Sequence, residues 1–167
     1  MPEPLVVFLP DEAATRRLAR TLAPGLAGGG VVALAGTLGA GKTALARALI
    51  RVLTGNPDEE VPSPTFTLVQ GYETPQGPLW HFDLYRLSDA AEVVELDWEE
   101  AVAGGIVLVE WPERLGPSLP ADRLEIALAL DAAAGTEARR ATLTGHGRWR
   151  VRLAGLDLTG LDLRGRP

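Results

Sequence analysis

Residues 31–55 read VVALAGTLGAGKTALARALIRVLTG. The first five are a continuous apolar run, short enough for a buried parallel strand, and the last twelve carry a helical pattern closed by Gly55. Between them Gly36-Thr37-Leu38-Gly39-Ala40-Gly41-Lys42-Thr43 satisfies G-x-x-x-x-G-K-[ST], in the strand-loop-helix context that makes the match a physical site. The glycines let backbone N–H groups turn inward and the helix N-terminus adds positive dipole. Lys42 would reach the β- and γ-phosphates, and the Thr43 hydroxyl would ligate Mg²⁺. Lys42 is also the only lysine in the chain, the other 15 of 16 basic residues being arginine. An arginine fork cannot replace a compact ammonium in a tight phosphate cradle, so its retention here suggests a chemical requirement.

Working outward, Leu5 to Leu9 reads as a strand, and Asp11 as the N-cap of a helix carrying Leu18 and Leu22. The run SPTFTLVQGYETPQGPLWHFDLYRL, 63–87, predicts a hairpin around TPQGP. Ser88 is expected to cap a short acidic helical stretch, broken at Gly104-Gly105. A second buried strand, Ile106 to Val109, follows and ends in Glu110. Further strands are expected over Arg123 to Leu130 and Arg140 to Thr144, with a third at Trp149 to Leu153. The fold class is therefore α/β: a P-loop NTPase-like, mostly parallel sheet with flanking antiparallel strands and helices. Residues 1–155 read as a single P-loop ATPase domain, and 156–167, with its LDLTG and LDLRG repeats, as a tail of uncertain order.

A P-loop needs a carboxylate at the end of a neighbouring strand, to hold Mg²⁺ or to orient the attacking water. Asp83 ends LWHFD and Glu110 ends IVLVE. Both are candidate metal and catalytic residues beside Lys42 and Thr43, and the sequence does not order their roles. Thr65, in the loop after the P-loop helix, stands where GTPases carry a γ-phosphate-sensing threonine. Trp111 is a candidate for stacking on a base or a partner. Arg86 reads as a phosphate contact or a surface ion pair, and His81 as a packed strand residue. An N-K-x-D guanine element is excluded because the one lysine is already used, so ATP is expected rather than GTP.

Composition narrows the partners. A net charge of −6 is the wrong sign for gripping phosphate backbones, so DNA is not an expected partner. Asp89, Glu92, Glu95, Asp97, Glu99 and Glu100 form an acidic run, read either as a solvated face or as a docking surface for a basic partner. No cysteine is present, which rules out disulfides and thiolate zinc. No apolar run approaches the roughly 18 residues that span a bilayer, and MPEPLVVFLP lacks a basic n-region. No membrane partner and a cytoplasmic location are the expectation.

Four blocks in order, GTLGAGKT (36–43), SPTFTLV (63–69), HFDLYRL (81–87) and VEWPERL (109–115), resemble the TsaE family, also known as YjeE. The likeness spans about residues 5 to 144. It implies a Mg²⁺-dependent ATPase of bacterial tRNA N6-threonylcarbamoyladenosine formation at position 37. Such a protein works with TsaB and TsaD, meets tRNA only through that complex, and resets it between turnovers. It also implies Lys42 and Thr43 as phosphate and Mg²⁺ contacts, Ser63 and Thr65 in a switch-like loop, Asp83 and Glu110 near the metal, and Trp111 in the family's EW pair. Two positions depart from the family pattern. Thr37 stands where an aspartate is usual, and Asp97 where a glycine ends the Glu-Leu-Gly element. The alternatives are a small-molecule P-loop kinase, against which the arginine-free 89–105 segment weighs, and a nucleotide-dependent binding module.

Overall fold

The computed structural model describes residues 3–164. Its centre is built from the most apolar strands. β2 (Gly30–Ala35) and β5 (Ile106–Glu110) pair in parallel, Val31 with Val107 and Leu34 with Glu110. β4 (Gly77–Asp83) and β6 (Arg123–Leu130) join them in parallel on either side. Strands covered on both faces read as unbroken apolar runs, which is why VVALA and IVLV show no alternation. Outside this parallel centre the pairing turns antiparallel. β3 (Val69–Thr74) closes a hairpin on β4, while β7 (Arg139–His146) and β1 (Leu5–Leu9) extend the other side. The last strand, β8 (Asp162–Arg164), pairs with β1, giving the order β3-β4-β5-β2-β6-β7-β1-β8. The tail expected from 156 onward thus adds an edge strand to the sheet, and its residues 165–167 lie outside the described residues.

α1 (Glu12–Leu22) and α2 (Lys42–Thr54) cover one face and bury Leu18, Leu22, Leu45, Leu49 and Leu53 with Leu108, Ile126 and Leu143 of the sheet. The Asp11 carboxylate caps α1 by accepting from Ala14 N at 2.9 Å, as expected. Gly55 ends α2 in the left-handed region at φ 72°. On the other face α3 (Trp98–Gly104) sets Trp98 edge-on to Phe82 at 4.9 Å, over Val31, Val107 and Val109. Among the described residues no helix is long and apolar enough to cross a membrane.

Three local expectations change. The cap of the acidic stretch is Asp89, not Ser88: its carboxylate accepts from Ala91 N at 3.0 Å and starts a 3₁₀ turn over Ala90–Leu96. That turn is separated from α3 by Asp97 at φ 58°, so an aspartate adopts the left-handed conformation for which the resemblance supplies a glycine. In SPTFTLVQ only the end is strand. Leu68 lies at φ 69° and its amide bonds Pro64 O at 2.7 Å, so β3 begins at Val69.

Third, Trp149–Leu153 is not a strand but lies in α4 (Trp149–Ala154). WRVRL alternates apolar and polar like a strand, yet it also pairs Trp149 with Leu153 at i, i+4. The fold uses the second pattern: those two are 1% and 5% exposed and Val151 is 78% exposed. Gly147, at φ 64°, turns the chain, and the Asp122 carboxylate accepts from Arg148 N at 2.9 Å, starting the helix from the residue before the neighbouring strand β6.

Candidate functional site

The carboxyl ends of β2, β4 and β5 meet at one edge of the sheet, the place where open α/β sheets bind ligands. β2 runs into the P-loop. Gly36, at φ 143°, is needed there because a Cβ would lie 2.5 Å from Leu128 O. Gly41, at φ 107°, begins α2 with no side-chain cap, so the first-turn amides are left for an anion. Parallel register then places Asp83 opposite Glu110 on adjacent strands.

These elements enclose a cleft of about 320 Å³. Leu38, Gly39, Gly41, Lys42, Thr43, Thr65, Asp83, Glu110 and Trp111 line it. Gly36, Thr37 and Ala40 do not; they shape the loop. Gly36 O and Thr37 O accept from Lys42 Nζ at 2.6 and 2.9 Å, and buried Ala40 closes the turn through its amide on Thr37 O. The Thr37 side chain is exposed.

The Lys42 ammonium lies 4.0 Å from the centre of the Trp111 ring. Trp111 takes φ 60°, a left-handed conformation that costs a non-glycine residue about 1 to 2 kcal/mol and aims the ring back over the loop. Burial lowers the pKa of Lys42 from its ordinary value, against the opposing charges of Glu110, Glu113 and Asp83.

The acids are buried, Asp83 at 4% exposure and Glu110 at 2%. Thr43 Oγ1 donates to Glu110 Oε1 at 2.7 Å. Asp83 Oδ2 accepts from Thr65 Oγ1 at 3.0 Å, with Ser63 Oγ at 3.5 Å, and Oδ1 accepts from Tyr85 N at 3.1 Å. All nine cleft-lining candidates thus come together, with Ser63 beside Thr65. Arg86 does not join them: its guanidinium lies over the Phe66 ring at 4.4 Å.

Three residues contribute more to the site than the sequence reading gives them, His81 being the packed strand residue that was expected. His81 is fully buried and its Nε2 meets Glu110 Oε2 at 2.6 Å, while among the described residues Nδ1 has no partner. A signal existed, since His81 and Asp83 are two apart in a strand and share a face. Tyr85 lines the cleft and tilts against Trp111, ring centres 5.0 Å apart. Arg139 Nη2 reaches Gly39 O at 3.4 Å from the start of β7, a contact that only the sheet order creates.

A second cleft, of about 170 Å³, lies on the α1 side of the P-loop and shares Gly41 and Ala44 with the first. Among its lining residues are Leu9, Asp11, Thr15 and Arg139.

The oxygen donors suit Mg²⁺. A hydroxyl and two carboxylates are hard ligands, and that ion keeps waters and phosphate oxygens in the rest of its shell. Among the described residues no cluster of three or more His, Cys, Asp or Glu would hold a metal without such help.

Comparison with known proteins gives the family. The family model described as "Threonylcarbamoyl adenosine biosynthesis protein TsaE" matches residues 9–141. The chain is 46% identical over 111 residues to the tRNA threonylcarbamoyladenosine biosynthesis protein TsaE of Aquifex aeolicus, covering 66% of this chain and 79% of that one. It is 48% identical over 120 residues to the TsaE of Synechocystis, covering 68% and 73%. The crystal structure of YdiB from Bacillus subtilis superposes with a TM-score of 0.71 at 29% identity, covering 92% of this chain and 94% of that one. With the P-loop, the paired strand-end acids and these relatives in agreement, the chain belongs to the TsaE family.

Proposed function

We propose that this chain is the ATP-hydrolysing component of the tRNA N6-threonylcarbamoyladenosine machinery, acting with TsaB and TsaD and resetting their complex between turnovers. The observation that carries the ATPase reading is the convergence of Lys42, the Thr43–Glu110 pair and Asp83 in one cleft at the open N-terminus of α2. The role in tRNA modification rests on the relatives' names.

Lys42 leaves the carbonyls of Gly36 and Thr37 to meet the β- and γ-phosphates, which the α2 amides also hold. Thr43 Oγ1 and Glu110 Oε1, hydrogen-bonded to each other at 2.7 Å, would hold Mg²⁺, with Asp83 on the adjoining strand end completing the acidic side. Bound there, the ion would supply charge neutralisation to the phosphate oxygens. Asp83, tied to Thr65 and Ser63, orients the attacking water and reports the γ-phosphate to that loop. The second cleft takes ribose and base, because it continues from Gly41 and Ala44 and does not include Asp83 or Glu110. The unit carrying this chemistry is one domain, the expected 1–155 together with β8, which extends its sheet.

The test is Mg²⁺-dependent ATP turnover with and without the same organism's TsaB, TsaD and tRNA. Slow basal turnover should rise with the partners, and Lys42→Ala should abolish it while the circular dichroism spectrum stays unchanged. Full turnover by a folded Lys42→Ala variant would remove the P-loop assignment. Turnover indifferent to TsaB and TsaD would remove the partnership and turn attention to a phosphoryl acceptor.

A further inference from the structure

The outer surfaces of α1 and α2 form a groove of about 310 Å³ with no assigned role. Arg16 and Arg20 line it from α1, and Arg47 and Arg51 from α2. In each pair the spacing is i, i+4, so the two arginines of each helix share a face, with their Cβ atoms about 6 Å apart, and both pairs line the groove. The concentration of positive charge is local, in a chain whose net charge is −6, and among the described residues Glu12 is the one acid on the lining.

Among the described residues none of the four arginines makes an ion pair within 4.0 Å. Arg47 and Arg51 are half-buried and braced. Arg47 Nε donates to Val61 O at 3.3 Å and Arg51 Nε to Glu59 O at 3.2 Å. Fixing the forks in this way removes part of the ordering cost that a surface arginine meets when it binds.

The floor is apolar. Ala44, Ala48 and Val52 run along α2 at successive four-residue steps. Among the described residues no aromatic side chain lines the groove, so it has no platform for stacking bases, and the net charge repels a polyanion. An apolar floor between basic walls is complementary to a helix with an apolar stripe and acidic flanks.

From these observations we propose that the α1–α2 groove docks an acidic amphipathic helical segment of a protein partner. The proposal deepens the partnership put forward above and rests on it. Ala44, at one end of the floor, also lines the phosphate cleft, so the occupant touches the helix whose first turn holds the nucleotide.

The experiment measures affinity for the same organism's TsaB–TsaD complex by titration calorimetry, comparing the native chain with R16E/R20E. Both substituted residues are exposed and lie outside the catalytic cleft, and Arg47 and Arg51 are left to brace their loop. Expected are a loss of affinity of about tenfold or more, unchanged basal ATP turnover, and native affinity that falls with added salt. Unchanged affinity in R16E/R20E overturns the proposal.

If the native chain does not bind the complex at all, the partnership fails, and the groove is then tested alone. The probe is a labelled helical peptide of roughly 18 residues, with leucines on one face and glutamates beside them. Peptide binding lost in R16E/R20E supports the groove; no binding, or equal binding to both, overturns it. Two other results also overturn it: tRNA bound in place of the peptide and lost in R16E/R20E, which makes the groove a nucleic-acid site, or a sedimentation mass that halves in R16E/R20E, which makes the occupant a second copy.

Discussion

Glu110 is gripped at both oxygens, by Thr43 on one and His81 on the other. The His81 ring therefore fixes which way the carboxylate faces, from a fully buried position outside the cleft lining. His81→Leu would leave Oε2 in a dry site with no donor, a loss of about 1 to 3 kcal/mol. Urea unfolding should show it, together with a raised Mg²⁺ requirement for turnover. At this scale the site is legible wherever chemistry and local pattern coincide: Lys42 and Thr43 in a motif, and Asp83 and Glu110 as acids closing apolar runs. The His81–Glu110 contact is not legible, because it depends on the register between β4 and β5, which strand sequences do not carry. Tyr85 and Arg139 escape for the same reason, being brought in by loops and by sheet order.

Among the elements, the P-loop is the least tolerant. Gly36→Ala would set a methyl group 2.5 Å from the Leu128 carbonyl of β6, at a φ that L-residues avoid. ATP binding should be lost and the melting temperature should fall by several degrees, whereas Gly104→Ala meets open space and should change neither. The turn into α4 predicts a pH dependence. Burial pushes the Asp122 carboxyl up, but the bonds from Arg148 and the charges of Arg148 and Arg152 outweigh this and hold it below its usual 3.8. A lowered carboxyl stabilises the fold above that value and ceases to do so as pH falls through the folded-state pKa. Asp122→Asn should therefore cost stability near neutrality, less than about 1 kcal/mol for so exposed a pair, with the difference closing in acid. Thermal melts at pH 7 and below pH 3.8 would measure it. This contact also explains the misreading of Trp149–Leu153: a helix started by a carboxylate 26 residues upstream leaves no mark in its own sequence.

Over the whole molecule, the strand-loop-helix at 31–55 was enough to place a parallel sheet, because apolar runs without alternation need cover on both faces. The order of the outer strands was beyond such reasoning. The final segment illustrates this, since β8 pairs with β1 and Arg164 covers the Phe8 ring at 4.5 Å, although neither sequence announces the other. A ligand held by three strand ends and a helix binds only the folded chain. MgATP at about one hundred times its dissociation constant should therefore add about 2.7 kcal/mol of stability, read as a shift in the denaturation midpoint, and should add nothing to Lys42→Ala.

The acids of the cleft differ in what holds them. Glu110 belongs to a strand flanked on both sides by parallel neighbours, in the most enclosed part of the sheet. Asp83, by contrast, is tied through Thr65 and Ser63 to a segment of turns between α2 and β3 that lacks any ladder. Amide hydrogens of β2 and β5 should thus exchange with solvent only through global unfolding, and those of 56–67 through small local openings. Half of the site is as durable as the core and half is free to rearrange, so hydrogen exchange during turnover should register nucleotide state in that segment while the central strands stay silent.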